Sequence, residues 1–541
     1  MLNKIVNISY SVMISLALVI SVAYYHTLWW EQGNNTAGLN VNYINAKTMI
    51  LFFVSACLCY IIVKNVEKVI GNLKIINEQS EVQNSKKIFW KSVVCNLLIW
   101  GIWFLVFAPG AGMNDTINIF MKSYKNNNCP IVYQLLIWYG MKLLKYFIKD
   151  MAWCYGCLVW IQMFVSAIVF SSVISWLAKK NVKKKILYIL VAYYSSLPVI
   201  ADYSITLVKD TLYAIFLLKF VVLLYDIVNS KGNFLKKNSN LIKTVLIALS
   251  VCCFRSNGAV VCIFSLIITF FVVKETKKRF ILLIIVVLGV NTVIGRLEQA
   301  NFEWDPKFRE STGVLMAQIG AVLNDPAAKI DEEDLKELNE LLPIETWKKN
   351  YKPSFADDVK LNENFDNEWL NQNKITFVRI WFKIMLKNFP IYVKAYICHS
   401  YGYWGLLKYP PDMTQSYFTS INNNTSEDSS WGVFCKENNL QNQSILPQGV
   451  SAKLENLFGT LIMKNFSFTP GVMIWLVFFC AMILFGKKMY TACVPYLPII
   501  FTWGTMMVAS PASLIYRYSY YLVLVLPIVI VMTVMQCTKK D

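Results

Sequence analysis

Asp115, Asp202, Lys209, Asp210, Arg255, Asn257 and Arg517 stand at the ends of apolar segments, in five separate parts of the chain. A carboxylate at the mouth of a membrane helix is costly unless it has a partner or a task. Asp115 is placed to act as a general base, taking a proton from an attacking hydroxyl. Its alternative, shared with Asn114, is to cap the following helix. Lys209, Arg255 and Arg517 suit a phosphate or pyrophosphate, Arg through forked hydrogen bonds and Lys as a point charge. Asp202 or Asp210 could orient a substrate or hold a divalent ion through oxygen ligands. The adjacent Lys209-Asp210 reads equally well as a local charge pair at a helix start. Taken singly, each residue is also explained by snorkelling at a membrane boundary. The break Arg255-Ser256-Asn257-Gly258 resists that explanation, because a helix broken at membrane depth is tolerated where it lines a cavity.

The elements that must position these groups are apolar. Of 541 residues, 56% are hydrophobic and 16% charged, far from the balance of a soluble domain. Many apolar runs approach or exceed the ~18 residues that mark a spanning helix. The expected fold is an all-α polytopic membrane protein of about twelve crossings. The net charge of +19 does not indicate nucleic acid, since the Lys and Arg gather in short loops where charge sets topology. The two His residues, His26 and His399, leave little for a His-rich metal site or a Ser-His-Asp triad. Cys154 and Cys157 form a C-x-x-C on an apolar helix without a second pair, which argues packing. Cys398 and Cys435 could form a disulfide in an oxidising compartment.

Four regions follow. Residues 1–88 hold two helices, about Ile8–Trp30 and Thr48–Val66, and a basic linker. Residues 89–295 form a transmembrane module. Its loop 109–150 opens at Pro109-Gly110, which stops the helix Lys91–Val106, and carries amphipathic surface helices with Lys142, Lys145 and Lys149. In the same module, two short helices meet at Arg255–Gly258. Residues 296–470 are polar and read as a mostly helical extracytoplasmic domain, within which Phe377–Tyr403 is aromatic enough to lie against the bilayer. Residues 471–541 hold three closing helices. With the N-terminus in the cytoplasm, the basic loops at 67–87, 179–185, 229–243, 274–279, 487–488 and 538–540 all fall inside, as does the C-terminus. The discordant stretch is 114–150, whose lysines surface helices can hold against headgroups. All the candidate residues then land on the outer face.

With these residues in hand, the chain resembles the GT-C superfamily of polytopic glycosyltransferases, closest to an uncharacterised bacterial branch. The resemblance rests on Pro109-Gly110 with Asn114-Asp115-Thr116, and on Cys129-Pro130-Ile131-Val132-Tyr133. It continues through Val208–Ala214, Phe254–Gly258, Arg309–Thr312 with Met316–Ile319, Tyr401–Trp404 and Arg517-Tyr518. It implies an enzyme of the bacterial plasma membrane that moves a sugar from a polyprenyl-phosphate-linked donor to a cell-envelope glycan, lipid or protein. It implies Asp115 as catalytic base or metal ligand. Lys209, Arg255 and Arg517 match its carrier-phosphate residues, with Asp210, Asn257 and Tyr518 beside them. Two departures stand out: Cys129 where related sequences often have His, and the lack of a second acid beside Asp115. They leave dependence on a divalent metal open. The rival readings are a flippase or transporter of polyprenyl-linked glycans, and a non-catalytic envelope assembly protein. A transporter would favour charges at the bilayer midplane and internal repeats; here the charges gather at one face and no repeat is seen.

Overall fold

The computed structural model describes residues 2–28, 45–77, 84–122, 129–301, 307–407, 421, 430–465, 469–510, 512–513 and 515–538. Among them the chain is α-helical, and its β pairing is confined to isolated bridges. The first helices are α1 (Leu2–Leu28), α2 (Ala46–Asn72), α3 (Ser85–Val106), α4 (Asn114–Lys122), α5 (Ile131–Phe147) and α6 (Met151–Lys179). They are followed by α7 (Lys184–Ser196), α8 (Pro198–Ile205), α9 (Lys209–Asn229), α10 (Asn238–Phe254), α11 (Gly258–Val272) and α12 (Lys277–Asn301). The Trp29-Trp30 end expected for the first helix lies outside the described residues.

Eight described helices are long and apolar enough to cross a membrane, or nine if α7 and α8, bent by 52° at Leu197, make one span. Pro198 explains that bend, since the residue before a proline is pushed out of the helical region; Leu197 is extended. Burial ranks the helices. About α9 and the C-terminal Tyr520–Cys537 helix, 78% of the apolar window is covered by other parts of the chain, against 11% in α2 and 17% in α12. The first two form the axis of the bundle. The last two turn apolar side chains such as Ile50, Phe53, Ile285 and Val293 outward, as lipid-facing helices do.

The N-terminal pair is tied in by polar contacts. Asn3 and Asn7 donate to the Glu67 carboxylate at 3.0 and 3.1 Å, and the Tyr10 hydroxyl donates to the Trp475 carbonyl at 2.8 Å. After Pro109-Gly110, α4 and α5 form instead of a span. The α5 helix buries Ile131, Tyr133, Ile137 and Met141 and exposes Leu136, Leu143, Tyr146 and Phe147, the two-sided character of a surface helix.

A second hydrophobic core lies between Met316 and Tyr392, centred on Ile319, Leu338, Trp347, Leu370 and Ile380. Within Phe377–Tyr403, Phe377, Ile380, Ile384 and Tyr392 face this core, while Phe382, Leu386 and Phe389 point outward. The part from 421 onward turns back to the transmembrane helices. Asn442 Nδ2 donates to the Phe107 and Gly110 carbonyls at 2.7 and 2.9 Å, and Phe458 stacks on Trp103 at 4.0 Å. Cys398 and Cys435 are buried in different clusters and are not joined to each other by a disulfide.

The break between α10 and α11 depends on Gly258. A Cβ there would lie 2.0 Å from the Val251 carbonyl oxygen, a backbone atom that cannot swing away. Gly258→Ala is therefore expected to cost about 1–3 kcal/mol by overpacking. A thermal unfolding series on detergent-purified protein checks this, and an unchanged midpoint would refute it.

Candidate functional site

Two segments are laced together before any charge enters. The Ala111 amide donates to the Ile205 carbonyl at 3.0 Å, and the Leu207 amide donates back to the Ala111 carbonyl at 3.1 Å. The Thr116 hydroxyl donates to the Leu207 carbonyl at 2.7 Å. Gln162 of α6 clamps the second segment, its amide donating to the Ser204 and Thr206 carbonyls at 3.1 and 2.7 Å. Gly110 permits this approach: its φ is +119°, and a Cβ would lie 2.8 Å from the Ile205 carbonyl oxygen. This lacing brings Asp115, in the first turn of α4, up to Lys209, in the first turn of α9.

The charges then form one chain. Lys209 Nζ is 2.7 Å from Asp115 Oδ2, and Arg517 Nη1 is 3.0 Å from the same oxygen. Arg517 Nη1 is also 3.9 Å from Asp210 Oδ2, and Arg255 Nη1 is 2.9 Å from Asp210 Oδ1. Tyr518 anchors both guanidiniums, each 4.9 Å from its ring centre. Asp210 is 1% exposed at the side chain, and the other four are 11–17% exposed. Five charged side chains from four stretches of sequence thus converge.

Lys209-Asp210 reads as a local charge pair or as two separate roles, and its closest ion pairs are those with distant residues. Consecutive helical residues diverge by about 100°, so the two reach different partners, Lys209 to α4 and Asp210 to the α10–α11 break. Asn257 lies beside the cluster, donating to the Thr505 hydroxyl at 2.6 Å. Asp202 is fully buried in α8, within electrostatic reach of Tyr203 and Tyr520. Asn114 opens α4, and its side chain lies outside the described residues. Asp115 sits inside the first turn with its carboxylate on Lys209 and Arg517, so ion pairing is the role seen for it.

Sequence reasoning missed the sulfur atoms. Cys129 Sγ is 3.3 Å from Lys209 Nζ, Met113 Sδ 3.4 Å from Arg517 and Met506 Sδ 3.4 Å from Arg255. Each cation has one polarisable neighbour. For Cys129 the signal was its place before Pro130; for Met506 there was none. Burial pushes the Cys129 thiol up to about 12, against the pull of Lys209, so it stays protonated and is no nucleophile. Tyr213 was also missed, though it lies four residues after Lys209 on the same helical face; Arg255 stands over its ring at 5.6 Å.

Among the described residues, no group of three His, Cys, Asp or Glu side chains is placed to hold a metal ion. Asp115 and Asp210 are each directed at cations. The described residues of the cluster therefore do not fit a divalent ion.

Burial alone would raise the Asp115 carboxyl, but Lys209 and Arg517 outweigh it and hold the group well below the usual carboxylate range. A depressed native value gives stability that is fully present above the unfolded value near ~4 and lost as pH falls through the native one. The stability gap between the wild type and Asp115→Asn is therefore expected to be flat from about pH 8 to 5 and to close only below about pH 4. Thermal unfolding across pH reads it; closure between pH 7 and 5 would refute the ion-pair assignment.

A bundle of apolar helices with a buried charge cluster at one end defines a polytopic α-helical membrane protein with a polar site. By sequence, the chain belongs to a family of unknown function (DUF6020), whose model matches residues 119–541. Lys209, Asp210, Arg255 and Arg517 fall within that match; Asp115 lies four residues before it. No curated protein and no solved structure matches the chain.

Proposed function

We propose that the protein is a membrane glycosyltransferase, moving a sugar from a polyprenyl-phosphate-linked donor to a cell-envelope acceptor on the extracytoplasmic side of the bacterial plasma membrane. The observation that carries this reading is the convergence of Asp115, Lys209, Asp210, Arg255 and Arg517. Such a cluster offers both groups the reaction needs, cations for a departing phosphate and a carboxylate for a proton. Reading the bent pair and the shorter apolar helices Asn238–Phe254, Gly258–Val272 and Pro470–Gly486 as further crossings, and leaving Gly313–Leu323 to the second core, would bring the eight long helices to twelve crossings. Both termini then lie in the cytoplasm, and the charge cluster and the second core lie outside.

At rest Asp115 is neutralised by two cations and is a weak base. A carrier phosphate entering beside Lys209 and Arg517 competes for them and restores the basicity of the carboxylate. The acceptor oxygen then bonds to the anomeric carbon as the bond from that carbon to the phosphate oxygen breaks. The hydroxyl proton passes to Asp115, and the carrier phosphate leaves with the bonding electrons, held by the cations.

The test uses purified protein in liposomes loaded with polyprenyl-phosphate-linked sugars and acceptors. Sugar transfer on one face supports the proposal. Movement of the lipid-linked sugar between faces without transfer would replace it with a flippase, and neither result would leave an assembly role.

A further inference from the structure

A second cationic centre lies away from the Asp115 cluster. Lys219 is ten residues along α9 from Lys209, about 15 Å down the helix. Its side chain is buried, and Nζ donates to the Ser172 hydroxyl of α6 at 2.7 Å. Lys179, at the end of α6, and Lys243, on α10, face it electrostatically, and both are exposed. Asp226 also faces it, but its carboxylate already takes Lys180 at 2.8 Å and the Trp176 indole N–H at 2.8 Å.

Topology accounts for Lys179 and Lys243, which sit near helix ends where basic residues collect. It does not account for Lys219, which lies mid-helix between packed neighbours. An ionisable residue at that depth is a functional-site candidate by default, because its charge is costly there without a partner. Three lysine side chains and a hydroxyl converge, and among the described residues the facing carboxylate already takes Lys180 and Trp176. The missing member is an anion with several acceptor oxygens.

We infer that the side-chain cluster shared by α6, α9 and α10, at the end away from Asp115, binds a phosphate group, with Lys219 and Ser172 as its buried members and Lys179 and Lys243 as its exposed ones. A phospholipid headgroup and free phosphate share this chemistry. The lipid is the better fit, since Lys179 and Lys243 are exposed near helix ends, where headgroups lie.

The full chain is reconstituted in phosphatidylcholine nanodiscs with or without phosphatidic acid, and separately with inorganic phosphate. Retained lipid per chain is read by native mass spectrometry, and the thermal midpoint by unfolding. The wild type is expected to retain one phosphatidic acid and to rise in midpoint. Lys219→Met should weaken retention at least tenfold, as a hydrogen bond to a charged group contributes about 1.5–3 kcal/mol. The double variant Lys179→Ala/Lys243→Ala changes exposed residues only, so it tests the site even if Lys219→Met misfolds, and a larger loss is expected. A midpoint rise with inorganic phosphate, equal to that with lipid and lost in the double variant, would support the site and assign it to free phosphate. Retention unchanged in both variants would overturn the inference. So would an equal loss in Lys236→Ala/Lys237→Ala, which would show diffuse surface charge.

Discussion

Under the proposed glycosyl transfer, Asp115→Asn is expected to remove whatever cell-surface glycan the gene deletion removes, at unchanged abundance in the membrane. Asparagine keeps the shape of the side chain and can still accept from Lys209 and Arg517, which stand 2.7 and 3.0 Å from Asp115 Oδ2. What it cannot do is take a proton from an attacking hydroxyl. Removing a positioned base costs on the order of 10²–10⁴-fold in rate. Surface glycans would be profiled in three strains: wild type, Asp115→Asn and gene deletion. Glycans unchanged in the variant but altered by the deletion would end the case for Asp115 as base, leaving it a structural counter-ion. The abundance measurement guards against the other route to loss, instability from the ammonium and guanidinium left facing a neutral amide.

Much of the fold is legible in the sequence because bilayer physics is simple. A backbone crossing lipid must satisfy its own hydrogen bonds, so apolar runs read as helices, and Pro109-Gly110 and Arg255–Gly258 read as their interruptions. The charged residues of the cluster were legible for the same reason, since charges beside apolar runs are rare. Their pairing was not. Nothing local tells that Lys209 meets an acid on α4 and not its neighbour Asp210, or that Arg517 reaches both acids. Those partners depend on the lacing of Ala111 to Ile205 and Leu207, a contact between distant segments made by backbone groups, which every residue carries. The return of Asn442 and Phe458 to α3 was hidden likewise, inside a stretch whose polarity suggested a separate domain.

The shared cation yields the second large effect. Arg517 serves two acids, Asp115 at 3.0 Å and Asp210 at 3.9 Å, whereas Lys209 serves Asp115. Breaking a buried ion pair from one side costs about 3–5 kcal/mol, because the remaining charge stays in a poor solvent. Each acid keeps a second cation after Arg517→Met, Lys209 for Asp115 and Arg255 for Asp210, so the lower end, about 3 kcal/mol, is expected. Lys209→Met should cost less, since Asp210 keeps both its partners and Asp115, more exposed at 17% than Asp210 at 1%, is better solvated. The double variant Asp115→Asn/Arg517→Met separates ion pairing from simple packing loss. If the pair couples the two residues, the double variant costs less than the sum of the single ones by on the order of 1–3 kcal/mol. Thermal unfolding of the four proteins in one detergent gives the cycle. Additive losses, or an Arg517→Met no worse than Lys209→Met, would mean that the cluster is held by its aromatic and sulfur neighbours and that its charges are not what binds it together.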